Sequence, residues 1–120
     1  MADVRPSQID FAEIYDPYAG AALQGLAALG LTERPGQDFA DGCFSPDGRL
    51  PVNLSGGLLG QGAAPGATGV AQVATCALVL EGFYHASAQP ADLPQVAVAD
   101  THGGICSNVG VTIIRQGRSV

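Results

Sequence analysis

Val52-Asn53-Leu54-Ser55-Gly56-Gly57, followed after four residues by Gly62-Ala63-Ala64-Pro65-Gly66-Ala67-Thr68-Gly69, is the stretch that decides how the rest of the chain reads. Six glycines fall between positions 56 and 69, a density that lets backbone approach something closely. From Ala67 to Tyr84 the spacing of Val70, Val73, Ala74, Ala77, Leu78 and Leu80 predicts a long helix, apolar nearly all round and therefore central in its domain. A glycine loop feeding a helix N-terminus offers unpaired N–H groups and the positive end of a dipole, roughly half a charge, to a developing anion. Phosphate, carboxylate and a thioester oxyanion all qualify as its occupant. A loop made tight only for packing has the same composition.

Working outward, Ile9 to Tyr15 alternates for part of its length and ends in Asp16-Pro17, which predicts a strand running into a turn. Tyr18 to Leu29 is small and apolar, a helical pattern stopped by Gly30. Thr32 to Pro51 reads as a loop-rich stretch with a turn at Ser45-Pro46-Asp47-Gly48 and a short strand from Arg49 to Val52. Val96 to Ala99 and Val109 to Ile114 are β-branched runs flanking Asp100-Thr101-His102-Gly103-Gly104. Strands separated by helices and closed by a final hairpin predict an α/β layered domain with a mixed sheet.

The 120 residues allow one domain, 1–120. Apolar residues make up 47% and charged residues 13%, too apolar for disorder and poor in charge for an ordinary solvated surface. With five Lys+Arg against eleven Asp+Glu, net −6, and no basic cluster, the chain lacks the footprint for nucleic acid or an anionic membrane as partner. No apolar run reaches the roughly 18 residues that a bilayer span needs. The opening Met1-Ala2-Asp3-Val4-Arg5-Pro6 does not read as a signal peptide, which makes the cytoplasm the expected compartment. Cys43, Cys76 and Cys106, an odd number without C-x-x-C spacing, predict free thiols rather than a disulfide framework or a structural metal site.

The glycine stretch resembles the thiolase superfamily, whose C-terminal half carries N-x-S-G-G and then G-H-P-x-G-A-(S/T)-G opening a buried helix. Glu13-Ile14-Tyr15-Asp16-Pro17-Tyr18 stands where thiolases have N-E-A-F, or H-D-x-F in the sterol-carrier-protein and lipid-transfer branch, and Thr101-His102-Gly103-Gly104 stands near the last catalytic loop. Three ordered matches cover almost the whole chain, and the branch with sterol-carrier-type thiolases is the nearest in pattern. The resemblance implies a thiolase-like C-terminal domain, incomplete relative to a whole subunit, with a layered mixed sheet and a buried central helix. It implies acyl-CoA as substrate, no further cofactor, and carbon–carbon chemistry beside a thioester carbonyl. Val4 to Asp10 looks like the middle of a thiolase domain, just before a strand, so a fragment of a longer chain is among the expectations.

The departures from the family decide how far its chemistry carries over. Ala63 and Ala64 replace the His and Pro of G-H-P, and alanine supplies neither the base nor the oxyanion donor, contributions on the order of 10²–10⁴ and 10²–10³ in rate. Tyr15 replaces the Asn or His that holds a catalytic water, and Asp16 keeps the acidic character of the next position. A tyrosine hydroxyl can donate to an oxyanion or relay a proton, or simply end a strand with a satisfied hydroxyl. The family's C-x-G cysteine is out of register, with Cys106 a few residues later, and nothing in the sequence lowers the pKa of that thiol. His102 resembles the histidine of the H-N-x-G loop and lies in a polar turn between strands, where an imidazole can reach a site. His85 reads as solvated or helix-capping, and Cys76 as a small core residue.

The resemblance therefore implies Tyr15, Asp16, Tyr18, His102 and Cys106 as catalytic candidates, and Asn53, Ser55, Gly56, Gly57, Gly62, Gly66 and Thr68 as the substrate-binding set. The reaction implied is acyl transfer or, with the G-H-P histidine replaced, retro-aldol shortening of a CoA-linked side chain in lipid or steroid metabolism. Expected partners are an N-terminal thiolase half or a second copy of the chain, and an OB-fold protein. A non-catalytic half that binds acyl-CoA or partner subunits stands beside that reading.

Overall fold

The computed structural model describes residues 3–103 and 107–117. Its centre is a three-stranded mixed sheet, ordered β1 (Phe11–Glu13), β2 (Val96–Gly103) and β3 (Asn108–Arg115). β1 pairs parallel with β2, Phe11 opposite Ala97 and Glu13 opposite Ala99. β3 returns antiparallel along the full length of β2, Val96 opposite Arg115 and Gly103 opposite Asn108. Between β1 and β2 lie α1 (Ala21–Ala28), α2 (Pro35–Ala40), α3 (Gly57–Gln61) and α4 (Thr68–Leu80).

The alternation of strand side chains divides the core in two. On one face Ala12, Ile14 and Val98 pack with Leu26 of α1 and with Leu31, Phe44 and Leu50. On the other, Phe11, Ala97 and Ala99 pack with Cys76, Val79 and Leu80 of α4. The sheet is thus sandwiched between α1 and α4, the layered α/β arrangement that the sequence predicts. Gly25 lets α1 come this close, because a Cβ there would lie 2.7 Å from Ile14 Cγ2.

α4 buries a stripe of Thr68, Gln72, Thr75, Cys76, Val79 and Leu80 toward the sheet. Its other side is open, with Val70 72% exposed and Leu78 also exposed. The buried face thus carries polar side chains beside apolar ones while Val70 and Leu78 face outward, so the pattern that reads as apolar all round packs on one side only. β3 is an exposed edge, with Val109 and Val111 in the open.

Two short helices fall where the sequence reads as loop. Pro35 starts α2 at a position where its missing N–H costs nothing, and Arg49 pairs with Asp38 of that helix at 3.2 Å. α3 begins between two left-handed glycines, Gly56 (φ 90°) and Gly57 (φ 62°), and stops at Gly62 (φ 93°). The predicted strand at Arg49 to Val52 contracts to a single parallel bridge, Val52 to Ala12. There Asn53, at φ 50°, extends the edge of β1 with its side chain: Oδ1 accepts the Ile14 N–H at 2.6 Å and Nδ2 donates to the Ile14 carbonyl at 3.0 Å.

Candidate functional site

β1 ends at Glu13, and two residues later the chain presents Tyr15 at the same end of the sheet as the last residues of β2. The Tyr15 N–H donates to Asp100 Oδ1 at 2.7 Å. On β2, positions 100 and 102 share a face, and His102 Nε2 meets the other oxygen of Asp100 at 3.0 Å. Asp100 is 2% exposed, so this carboxylate is a buried junction between the two strands. The rings of Tyr15 and His102 stand 5.2 Å apart between centroids, with planes inclined by 31°.

Tyr15 and His102 line one wall of a cleft of about 660 Å³. The facing wall is the glycine loop and the first turn of α4: Ala63, Pro65, Gly66, Thr68, Gly69 and Val70. Thr68 ties loop to helix, donating its hydroxyl to the Ala64 carbonyl at 3.0 Å. A Cβ on Gly69 would stand 3.1 Å from the Thr101 side chain, so glycine there sets how closely α4 approaches β2. The first turn of a helix carries N–H groups with no intrahelical partner, and here that turn borders the cleft. Tyr15 and His102 also border a second cleft, of about 390 Å³, together with Tyr18, Gln24 and Asp100. Tyr18 is 53% exposed and donates its hydroxyl to Gln24 Oε1 at 3.3 Å.

The remaining candidates occupy other places. Asp16 is buried and lines neither of these clefts; its Oδ1 accepts the Leu58 N–H at 2.6 Å at the start of α3. Asn53 is spent on the backbone of Ile14, and Ser55 on Glu13, whose carboxylate accepts the Ser55 N–H at 3.1 Å and the Ser55 hydroxyl at 2.6 Å. Ser55 Oγ in turn accepts the Gly57 N–H at 3.1 Å. Gly56 and Gly57 open α3 and Gly62 closes it, while Gly66 and Thr68 reach the cleft. Cys106 lies outside the described residues. His85 sits in the loop beyond α4, its Nδ1 2.8 Å from Ser87 Oγ. Asp100 was not among the sequence candidates, although its place two residues before His102 on a strand is the signal that finds it.

Beneath the site, Glu13 is 1% exposed. Burial pushes its carboxyl up to about 7, against the two Ser55 donors that favour the charge and with the nearby Asp16 adding to the rise. Burial and the Glu13 charge push the Cys76 thiol up to about 12, so this buried cysteine is a core residue and not a nucleophile. Among the described residues no three His, Cys, Asp or Glu side chains come together as a metal site, and no helix is long and apolar enough to cross a membrane.

The chain is 33% identical over 118 residues to an acetyl-CoA acetyltransferase of Methanothermobacter thermautotrophicus, covering 97% of this chain and 30% of that protein. It is 39% identical over 74 residues to a steroid side-chain-cleaving aldolase of Thermomonospora curvata, covering 60% of this chain and 19% of the relative. A solved structure of an Ltp2-ChsH2(DUF35) aldolase superposes with a TM-score of 0.74 at 27% identity, over 98% of this chain and 29% of that one. The chain therefore spans less than a third of the length of each of these three proteins. Residues 1–116 match the model of the family described as thiolase C-terminal domain-like, and the chain belongs to that family.

Proposed function

We propose that this chain is the C-terminal part of a thiolase-like enzyme that acts on acyl-CoA thioesters, with retro-aldol cleavage of a CoA-linked side chain as its reaction. The observation that carries this reading is the pairing of Tyr15 with His102 across from a glycine loop that bears Ala63 in place of a histidine. On a β-hydroxyacyl thioester, His102 takes the hydroxyl proton, the bond between the α and β carbons breaks, and a carbonyl product departs. The electron pair remains as the thioester enolate. The Tyr15 hydroxyl and the N–H groups of Gly69 and Val70 in the first turn of α4 meet its oxygen, and the proton on His102 returns to its α carbon. Tyr18 reaches the same pair from the second cleft. Asp16, Asn53, Ser55, Gly56, Gly57 and Gly62 hold the loop in place, while Gly66 and Thr68 face the thioester.

In complex with an N-terminal thiolase half, the chain is expected to convert a β-hydroxyacyl-CoA to a shortened acyl-CoA and a free carbonyl compound. Tyr15→Phe is expected to lower kcat by on the order of 10²–10⁴ with KM little changed. Normal turnover in a double variant carrying Tyr15→Phe and Tyr18→Phe sinks the proposal.

A second reading is favoured by Ala63 itself: a non-catalytic half that binds acyl-CoA or partner subunits. It predicts acyl-CoA binding without product in any pairing. Both readings place the chain in a cytoplasmic assembly, with an N-terminal half, a second copy or an OB-fold protein covering apolar surface. Val70, Phe83, Val109 and Val111 are all exposed, so the chain alone is expected to self-associate in size-exclusion chromatography and to bind a hydrophobic dye. A dye-silent monomer counts against the assembly.

A further inference from the structure

The buried junction at Asp100 fixes more than position. A carboxylate taken out of water needs a donor on each oxygen. Among the described residues, Oδ1 has the Tyr15 N–H and Oδ2 has only His102 Nε2. Nε2 must therefore carry the proton. In a neutral imidazole that leaves Nδ1 as the acceptor, and Nδ1 has no hydrogen-bond partner among the described residues. The paired register of β1 and β2 ends at Glu13 and Ala99, and just beyond it this one side chain replaces the ladder, joining residues 85 positions apart in sequence.

The geometry points to Asp100 as a positioning residue that locks Tyr15 and His102 into one unit and holds His102 in its Nε2–H tautomer, with Nδ1 as the ring's acceptor at the cleft. The lock stands on the hydrogen bonds alone. Its consequence for turnover rests on the proposed function.

Asp100→Asn tests it without changing shape. The Tyr15 N–H demands the amide oxygen, which turns the amide NH₂ toward Nε2; Nε2 must then accept, and the ring proton moves to Nδ1. Nitrogen-15 long-range correlation spectra of the histidine-labelled chain, taken at a pH that leaves the rings neutral, report the tautomer directly. His85, the second of two histidines, is the internal reference. The expected result is Nε2–H at His102 in the native chain and Nδ1–H in Asp100→Asn. Nδ1–H in the native chain overturns the lock even if the variant fails to fold, and so does an unchanged Nε2–H tautomer in a folded variant. In the assembled enzyme Asp100→Asn is expected to lower kcat at least 100-fold with KM little changed. A tautomer flip with unaltered turnover upholds the lock and removes His102 as the base of the proposed reaction.

Discussion

Glu13→Gln is expected to flatten the dependence of stability on pH and to leave the variant about 3 kcal/mol more stable than the native chain above pH 7. In the folded chain the Glu13 carboxyl keeps its proton up to about 7, whereas the unfolded chain releases it near the ordinary value of 4.5. Between those values the folded state binds more protons than the unfolded one. This contribution to stability is therefore whole below about pH 4.5 and is lost as pH rises through about 7. The cause is burial, since 1% exposure leaves the anion almost no water and the Ser55 donors replace only part of it. Glutamine is neutral at every pH and preserves both Ser55 contacts, its oxygen accepting the N–H and its amide donating to Oγ. Urea unfolding of the two chains from pH 4 to 8 measures the difference. Parallel curves for native and variant would show that Glu13 does not titrate in this range.

That a glutamate so placed reads in sequence as one residue of a strand pattern shows which signals were legible. β2 and β3 were visible in their β-branched residues, and α1 in a run of small apolar residues ended by Gly30. α2 was hidden because Pro35-Gly36 looks like a break, although proline at the first helical position is favourable. α3 was hidden because two of its five residues are glycine, a poor helix former, and the helix is held by bonds to the Asp16 and Ser55 side chains. The same ambiguity runs through the site. Glycine density announces a close approach but not where or to what: at Gly69 it is Thr101 of β2, at Gly57 it is the chain's own Asp16, and at Gly66 nothing stands within 4 Å. Tyr15 and His102 were found through their motif positions, and the structure brings them within ring contact. Asp100 was not, because a lone aspartate in a polar stretch does not disclose that the residue 85 positions earlier will offer it an N–H.

Gly57→Ala is expected to cost about 2.5–5 kcal/mol of stability, summed from two sources. Gly57 sits at φ 62°, where an L side chain costs about 1–2 kcal/mol. Its Cβ would also fall inside both carboxylate oxygens and the carbon of Asp16, a buried side chain. Moving Asp16 breaks its 2.6 Å bond from the Leu58 N–H, a charge-assisted contact worth about 1.5–3 kcal/mol. Gly60→Ala is the matched control in the same helix: φ is ordinary, nothing stands within 4 Å of the new methyl, and helix propensity favours alanine by about 0.5–1 kcal/mol. The two substitutions should thus shift the urea midpoint in opposite directions. Asp16→Ala supplies the remaining test. With the carboxylate gone the Cβ has room, so Gly57→Ala on that background should cost only its backbone share, and the pair should be non-additive by about 1–3 kcal/mol. Additivity would mean that the φ angle alone sets the cost and that Asp16 does not anchor α3. Because α3 leads directly into the loop that walls the Tyr15–His102 cleft, loss of that anchor is also expected to weaken the proposed binding of acyl-CoA, a change that Gly60→Ala leaves untouched.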